Sequence, residues 1–119
     1  MKTTLQKIVS RVKFLGKKYP RAKYNKIGGI AFYTKGKVSN GPKLTGCIIG
    51  QAICHVRPDL RKRLTTMDMN ACAPVVEDCL MELKIISRCT DDSDFLDRVQ
   101  SNQDRGKSWG KSLDINMYA

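Results

Sequence analysis

The sequence predicts a mainly α fold, a compact bundle of about four to five helices with a small β-hairpin between the first and second helices. Three observations predict it. Apolar residues recur at helical spacing in several separate stretches. Between residues 27 and 42 that period gives way to short alternation broken by Gly, Pro and Asn-Gly. The 119 residues, 41% hydrophobic and 28% charged, suit one modest core. The expected organisation is a single domain over 1–119.

The first helix is "TTLQKIVSRVKFLGKKYP". Thr3 or Thr4 caps it, and Leu5, Ile8, Val9, Val12 and Leu15 form its apolar stripe. Gly16 and Pro20 mark its end. "RAKYNK" reads as a basic linker. The hairpin is expected from "IGGIAFYTKGKVSNGP": Ile30 to Thr34 goes out, Lys35-Gly36 turns and Lys37 to Ser39 returns. Thr45 should cap the second helix, Gly46 to His55. A basic helix restarts after Pro58, with Asp59 in its first turn and Leu60 and Leu64 inward. The longest helix is expected over 70–88, with Asn70 as cap, Pro74 in the first turn, and Cys72, Val75, Val76, Cys79, Leu80, Leu83 and Ile86 on its apolar face. Asp91 or Ser93 should cap a last major helix that Gly106 stops. Trp109 and Leu113 then cover the end of the core from a short turn of helix.

Charge is the main functional signal. Residues 1–63 hold sixteen Lys and Arg against one acid, Asp59, whereas residues 64–119 hold six against ten acids. The halves are therefore +15 and −4, within a total of +11. Such asymmetry points to a polyanion, of which nucleic acid is the commonest inside cells. The candidate binding residues are Lys13, Lys17, Lys18, Arg21, Lys23, Lys26, Lys35 and Lys37, with Arg57, Arg61, Lys62 and Arg63 as a second group. Lysines suit phosphate contacts, and the arginines suit bidentate recognition of guanine or phosphate. Tyr19, Tyr24 and Tyr33 are interleaved with the first group as stacking candidates. Basic charge would serve an acidic protein partner equally well.

"GCIIGQAICH", residues 46–55, carries two of the five cysteines and the only histidine. Cys47 and Cys54 are seven apart, as are Cys72 and Cys79, which is ~10.5 Å along a helix axis. That is too far for two thiolates to ligate one zinc, whose bonds to sulfur are ~2.3 Å. His55 lies eight residues beyond Cys47, ~12 Å along the axis and out of reach as its base. The stretch reads as a packed core helix, with Gly50 marking a close backbone approach. The acids Asp91, Asp92, Asp94 and Asp97 suit the first turn of a helix rather than a metal. No phosphate loop, GxGxxG or calcium loop is present. No catalytic residue, metal site or cofactor is assigned. With an odd cysteine count and no apolar run of ~20 residues, the expectation is a reduced, cytoplasmic protein that is not in a membrane.

Two stretches carry a resemblance. One is Cys47-Ile48-Ile49-Gly50-Gln51-Ala52-Ile53; the other holds Phe95-Leu96, Val99-Gln100, Gln103-Asp104, Gly106, Trp109-Gly110 and Leu113. They resemble the "CIVGQAL"-like helix and "FLxxVQxxQDxGxxWGxAL"-like segment of small uncharacterised proteins of actinobacteria and their phages. The resemblance spans about the C-terminal two-thirds and leaves out the Lys-rich first third. It implies a phage or prophage accessory protein and no particular activity. The functional expectation is a small basic, non-enzymatic, regulatory nucleic-acid-binding protein, the alternative being an interaction module that modulates a host protein.

Overall fold

Thr3 starts the first helix by accepting the Gln6 backbone N–H, while the Gln6 side chain accepts the Thr3 N–H in return. This reciprocal cap fixes α1 at Thr4–Lys18 in the computed structural model, which describes residues 2–69 and 75–114. There follow β1 (Lys23–Tyr24), β2 (Val38–Ser39), α2 (Ile48–Val56), a 3-10 turn (Pro58–Leu60), α3 (Arg61–Met69), α4 (Val76–Glu82), α5 (Asp91–Asp104) and α6 (Trp109–Ser112). The chain is thus mainly helical with a two-stranded antiparallel hairpin between α1 and α2. Helix α1 packs on α2, α5 and α6, and α4 packs on α5. Ile8, Val12, Ile48, Ile53, Leu80 and Trp109 lie in the one core these helices share. Gly16 does not end α1 as expected; it is buried inside the helix, where the Leu113 side chain occupies the space of a Cβ.

The hairpin pairs differently from the expectation. β2 pairs with Lys23–Tyr24, not with residues 30–34; Lys23 faces Ser39 and Tyr24 faces Val38. The "RAKYNK" segment is therefore partly strand rather than linker. The physical reason is where the 32–34 backbone finds its partners. Phe32 N–H donates to the Tyr24 hydroxyl, and Tyr33 and Thr34 N–H donate to the two oxygens of Asp68, at 2.9 and 2.8 Å. The Thr34 hydroxyl adds a 2.6 Å bond to Asp68. Side chains have replaced a strand ladder, satisfying buried donors that would otherwise cost ~1–3 kcal/mol each.

Helix α2 begins two residues later than expected. Cys47, not Thr45, is its cap, its sulfur accepting Gly50 N–H at 3.4 Å. The Thr45 hydroxyl instead donates to the Thr34 carbonyl. Gly50 does mark a close approach: a Cβ there would land on the Tyr33 carbonyl, and so would one on Gly46, whose φ is 106°. The first free N–H of the helix, Ile48, is taken by Gln103 Oε1 at 2.8 Å. The same oxygen accepts the Trp109 indole N–H at 3.1 Å. Residues 46–53 and 95–113 thus lock to each other through one buried amide.

Of the helix expected over 70–88, α4 holds only Val76–Glu82; Asn70, Cys72 and Pro74 lie outside the described residues. Its end is early because Lys84 takes a left-handed φ of 60°. Ile85 N–H then returns to Leu80 O and Lys84 N–H to Met81 O, which turns Ile85 and Ile86 onto the core. Arg63 Nη2 donates to the Glu82 carbonyl at 2.7 Å, satisfying another group at this end. Helix α5 is capped by Thr90, one residue before Asp91, in a reciprocal pair with Ser93. Gly106, at φ 90°, follows its end. Trp109 N–H and Gly110 N–H donate to Ala22 O and Pro20 O, fastening α6 to the turn after α1.

Candidate nucleic-acid interface

The predicted basic residues are exposed, apart from the half-buried Arg57, but they do not form one group. Lys13 points across to α5 and sits 5.4 Å from the Phe95 ring. Lys18 is on another flank of α1, 5.4 Å from the Phe14 ring. Arg21, Lys23, Lys26, Lys35 and Lys37 follow the hairpin and its loop, where Lys35 lies over Phe32 and Lys26 is close enough to Asp104 to act on its charge. Lys17 lies in the last turn of α1. Tyr24 and Tyr33 are not stacking platforms: they are 7% and 3% exposed and belong to the core. Their rings are apolar enough to be worth more inside than out. Tyr19 is half-buried, with Lys18 over its ring.

One flank of α1 adds Lys7, Arg11 and Phe14 to the predicted Lys18. Lys7, Arg11, Phe14 and Lys18 recur at i, i+4, i+7 and i+11, so they share a face beside the buried stripe. Phe14 is 44% exposed, and the Arg11 guanidinium stacks over it at 4.5 Å. Arg11 Nε is buried and has no hydrogen-bond partner. Lys2, Lys7, Ser10, Arg11 and Phe14 line a depression of about 410 Å³ that His55 and Val56 close from α2. No acid lines it. Cations at i, i+4 and i+11 around an aromatic at i+7 are legible in the sequence and are the signal for this flank.

His55 also lines a second, smaller depression with Thr45, Gln51, Cys54, Pro58 and Arg61. Pro58 and Arg61 in turn line a third, of about 850 Å³, between the 3-10 turn, α3 and Glu82. Lys62 and Arg63 belong to this third cleft. The three hollows therefore adjoin through shared residues. Their lining brings Lys2, Lys7, Arg11, Arg61, Lys62 and Arg63 along one surface, against Asp59 and Glu82. Asp59 is already engaged by Arg57, in a two-pronged pair at 2.9 and 2.7 Å. That pairing holds the Asp59 carboxyl below its ordinary range.

The cysteines behave as core residues. Burial pushes the Cys47 thiol up to about 12, overcoming the Gly50 N–H and the Gln100 side chain, which both favour its thiolate. Burial likewise pushes Cys79 up to about 12. Cys54 is raised by burial too, with Arg61 opposing. A helix N-terminus lowers a thiol pKa only where water or charge supports the thiolate, and Cys47 has neither. Among the described residues no three His, Cys, Asp or Glu side chains converge on a metal position, and no helix is long and apolar enough to cross a membrane. Comparison with protein-family models, curated proteins and solved structures gives no match.

Proposed function

We propose that this protein binds nucleic acid, without catalysing a reaction, through the basic surface that runs from α1 to α3, as a small regulatory protein of the phage or prophage accessory kind. The observation that supports this reading is the adjoining set of hollows with six cations and two acids along their walls. Phosphates are the natural occupants of such a surface, and their release of counterions supplies the affinity. Arg61, Lys62 and Arg63 offer donors from a rigid helix, while Phe14 offers an exposed ring between two cations for an unpaired base.

The test is fluorescence anisotropy with labelled duplex DNA, single-stranded DNA and RNA over a salt series from ~50 mM upward. Binding should weaken steeply with salt. Replacing Arg11 and Arg61 together with Ala should lower the salt slope by about one to two phosphate equivalents. Absence of binding to all three probes at low salt overturns the reading. Retention of one stoichiometric protein from nuclease-treated lysate would replace it with an interaction module acting on an acidic host surface.

A further inference from the structure

The −4 half of the chain contains a cleft of the opposite character to the basic surface. It has a volume of about 300 Å³ and lies between α5, the start of α4 and the 31–33 segment. Asp97, Gln100, Ser101 and Asp104 form one wall. They stand at i, i+3, i+4 and i+7 on α5, so they are one stripe by helical spacing. Ala31, Tyr33, Val75 and Val76 form the other. On a chain of net charge +11, no Lys, Arg or His among the described residues lines this cleft.

Gln100 is 9% exposed, its side chain hydrogen-bonds the Cys47 thiol, and its Oε1 is buried without a partner. A buried amide oxygen left unpaired is unfavourable, so it calls for a donor. Asp97 and Asp104 are both held above the usual carboxylate range by burial. Asp97 is raised further by Glu77, Asp94 and Asp78, against which only Arg98 acts. Arg98 is itself bound to Asp94 at 2.9 Å. Asp104 keeps a hydrogen bond from Gln103 Nε2 and an attraction to Lys26. The cleft therefore offers acceptors, and its lining supplies no cation of its own.

We propose that this cleft binds a linear polyamine. Asp97 and Asp104 are two turns apart, ~10.5 Å along the helix axis, with Gln100 between them. Two terminal ammonium groups would each meet a carboxylate, and an inner amine N–H would meet Gln100 Oε1. The methylenes would lie on Ala31, Val75 and Val76. A metal ion fits less well, because no three ligating side chains converge among the described residues. An anion is repelled, and a monoamine satisfies one carboxylate only.

The test is titration calorimetry of the full chain with spermidine, butylamine and Mg²⁺ at ~0.15 M salt, where exposed charges are largely screened. Spermidine should bind saturably at one site, with butylamine at least about tenfold weaker. Asp97→Asn and Asp104→Asn should each weaken spermidine by about tenfold or more. Asp91→Asn removes the same charge from the exposed start of α5 and should leave the affinity unchanged. Gln100→Met is the direct probe of the amide; the two Asp variants, at part-exposed positions, keep the proposal testable should it fold poorly. No saturable spermidine binding, equal loss in Asp91→Asn, or equal binding of Mg²⁺ would overturn it.

Discussion

Gly50→Ala sets two known effects against each other. Ala gains about 1 kcal/mol over Gly in a helix interior. At this position, however, the new methyl would occupy the place of the Tyr33 carbonyl. Relief requires the 33–34 backbone to move, yet Asp68 holds both N–H groups of that segment and the Thr34 hydroxyl. A methyl forced into a packed site costs about 1–3 kcal/mol, and more where backbone is the obstacle. We expect net destabilisation of about 2 kcal/mol. With ~2.1 cal/mol/K of unfolding entropy per residue, that is a fall in Tm of roughly 8 °C for a chain of this length. Urea unfolding followed by circular dichroism checks it through the midpoint at constant m. The double variant with Asp68→Asn is the sharper measurement. Asn can accept at only one of the two positions and turns an N–H toward another N–H, which frees the segment to yield. The added cost of Gly50→Ala should then shrink. An unchanged or raised midpoint in the single variant would refute the close-approach account.

Lys84→Gly should stabilise by about 1 kcal/mol in chemical unfolding, because Lys84 sits at a left-handed φ of 60° that glycine adopts freely. Among the four described cysteines, a thiol reagent followed by peptide mapping should label the exposed Cys89 first and leave Cys47 and Cys79 until unfolding. A hydrogen bond with Glu77 is the main cause raising the Cys89 thiol, so Glu77→Gln should speed its labelling near pH 8. Burial raises the Asp104 carboxyl, so the folded state holds that proton to higher pH than the unfolded chain. Wild type should therefore gain stability relative to Asp104→Asn as pH falls from 7 through the raised pKa, in urea titrations at each pH. Trp109→Phe removes the indole N–H and leaves a void in the core, so the lost bond to buried Gln103 and the cavity together should cost about 2–4 kcal/mol in urea unfolding.

Helical spacing located the described helices because each has an apolar face whose period survives its neighbours. What the sequence did not disclose were partners far along the chain. Thr34 looks like an outward or inward strand residue; nothing local says that Asp68, 34 positions later, will hold its N–H. Caps shifted by one or two residues for a similar reason, since Thr90 and Asp91 are both good caps and only the Ser93 reciprocity decides. Lys84 could not be foreseen as a helix end, because lysine is a helix former and the left-handed turn is imposed by Ile85 and Ile86 reaching the core. The basic surface was half legible. Net charge placed the cations in the first half of the chain, but their grouping depended on α2 bringing His55 beside α1 and Arg61. The acidic cleft was masked by a sound general rule: carboxylates near a helix start favour its dipole, and that accounts for Asp91, Asp92 and Asp94 but not for Asp97 and Asp104 further along.

The Gln103 amide has a consequence for the order in which the chain can fold. It satisfies the start of α2 from 55 residues downstream, and Trp109 closes on the backbone of Ala22. As a ribosome delivers the chain, α1 and α2 appear early with their apolar faces and a helix end still unmet. The two can pack on each other, but the α1 face that meets α5 and α6, and the Ile48 N–H, wait for nearly the last described residues. Contacts of such long sequence separation slow folding and lengthen exposure to misassembly. The basic surface therefore arrives as a finished shape only when α6 has docked, so a chain cut before Trp109 should lose the surface built from its own first half.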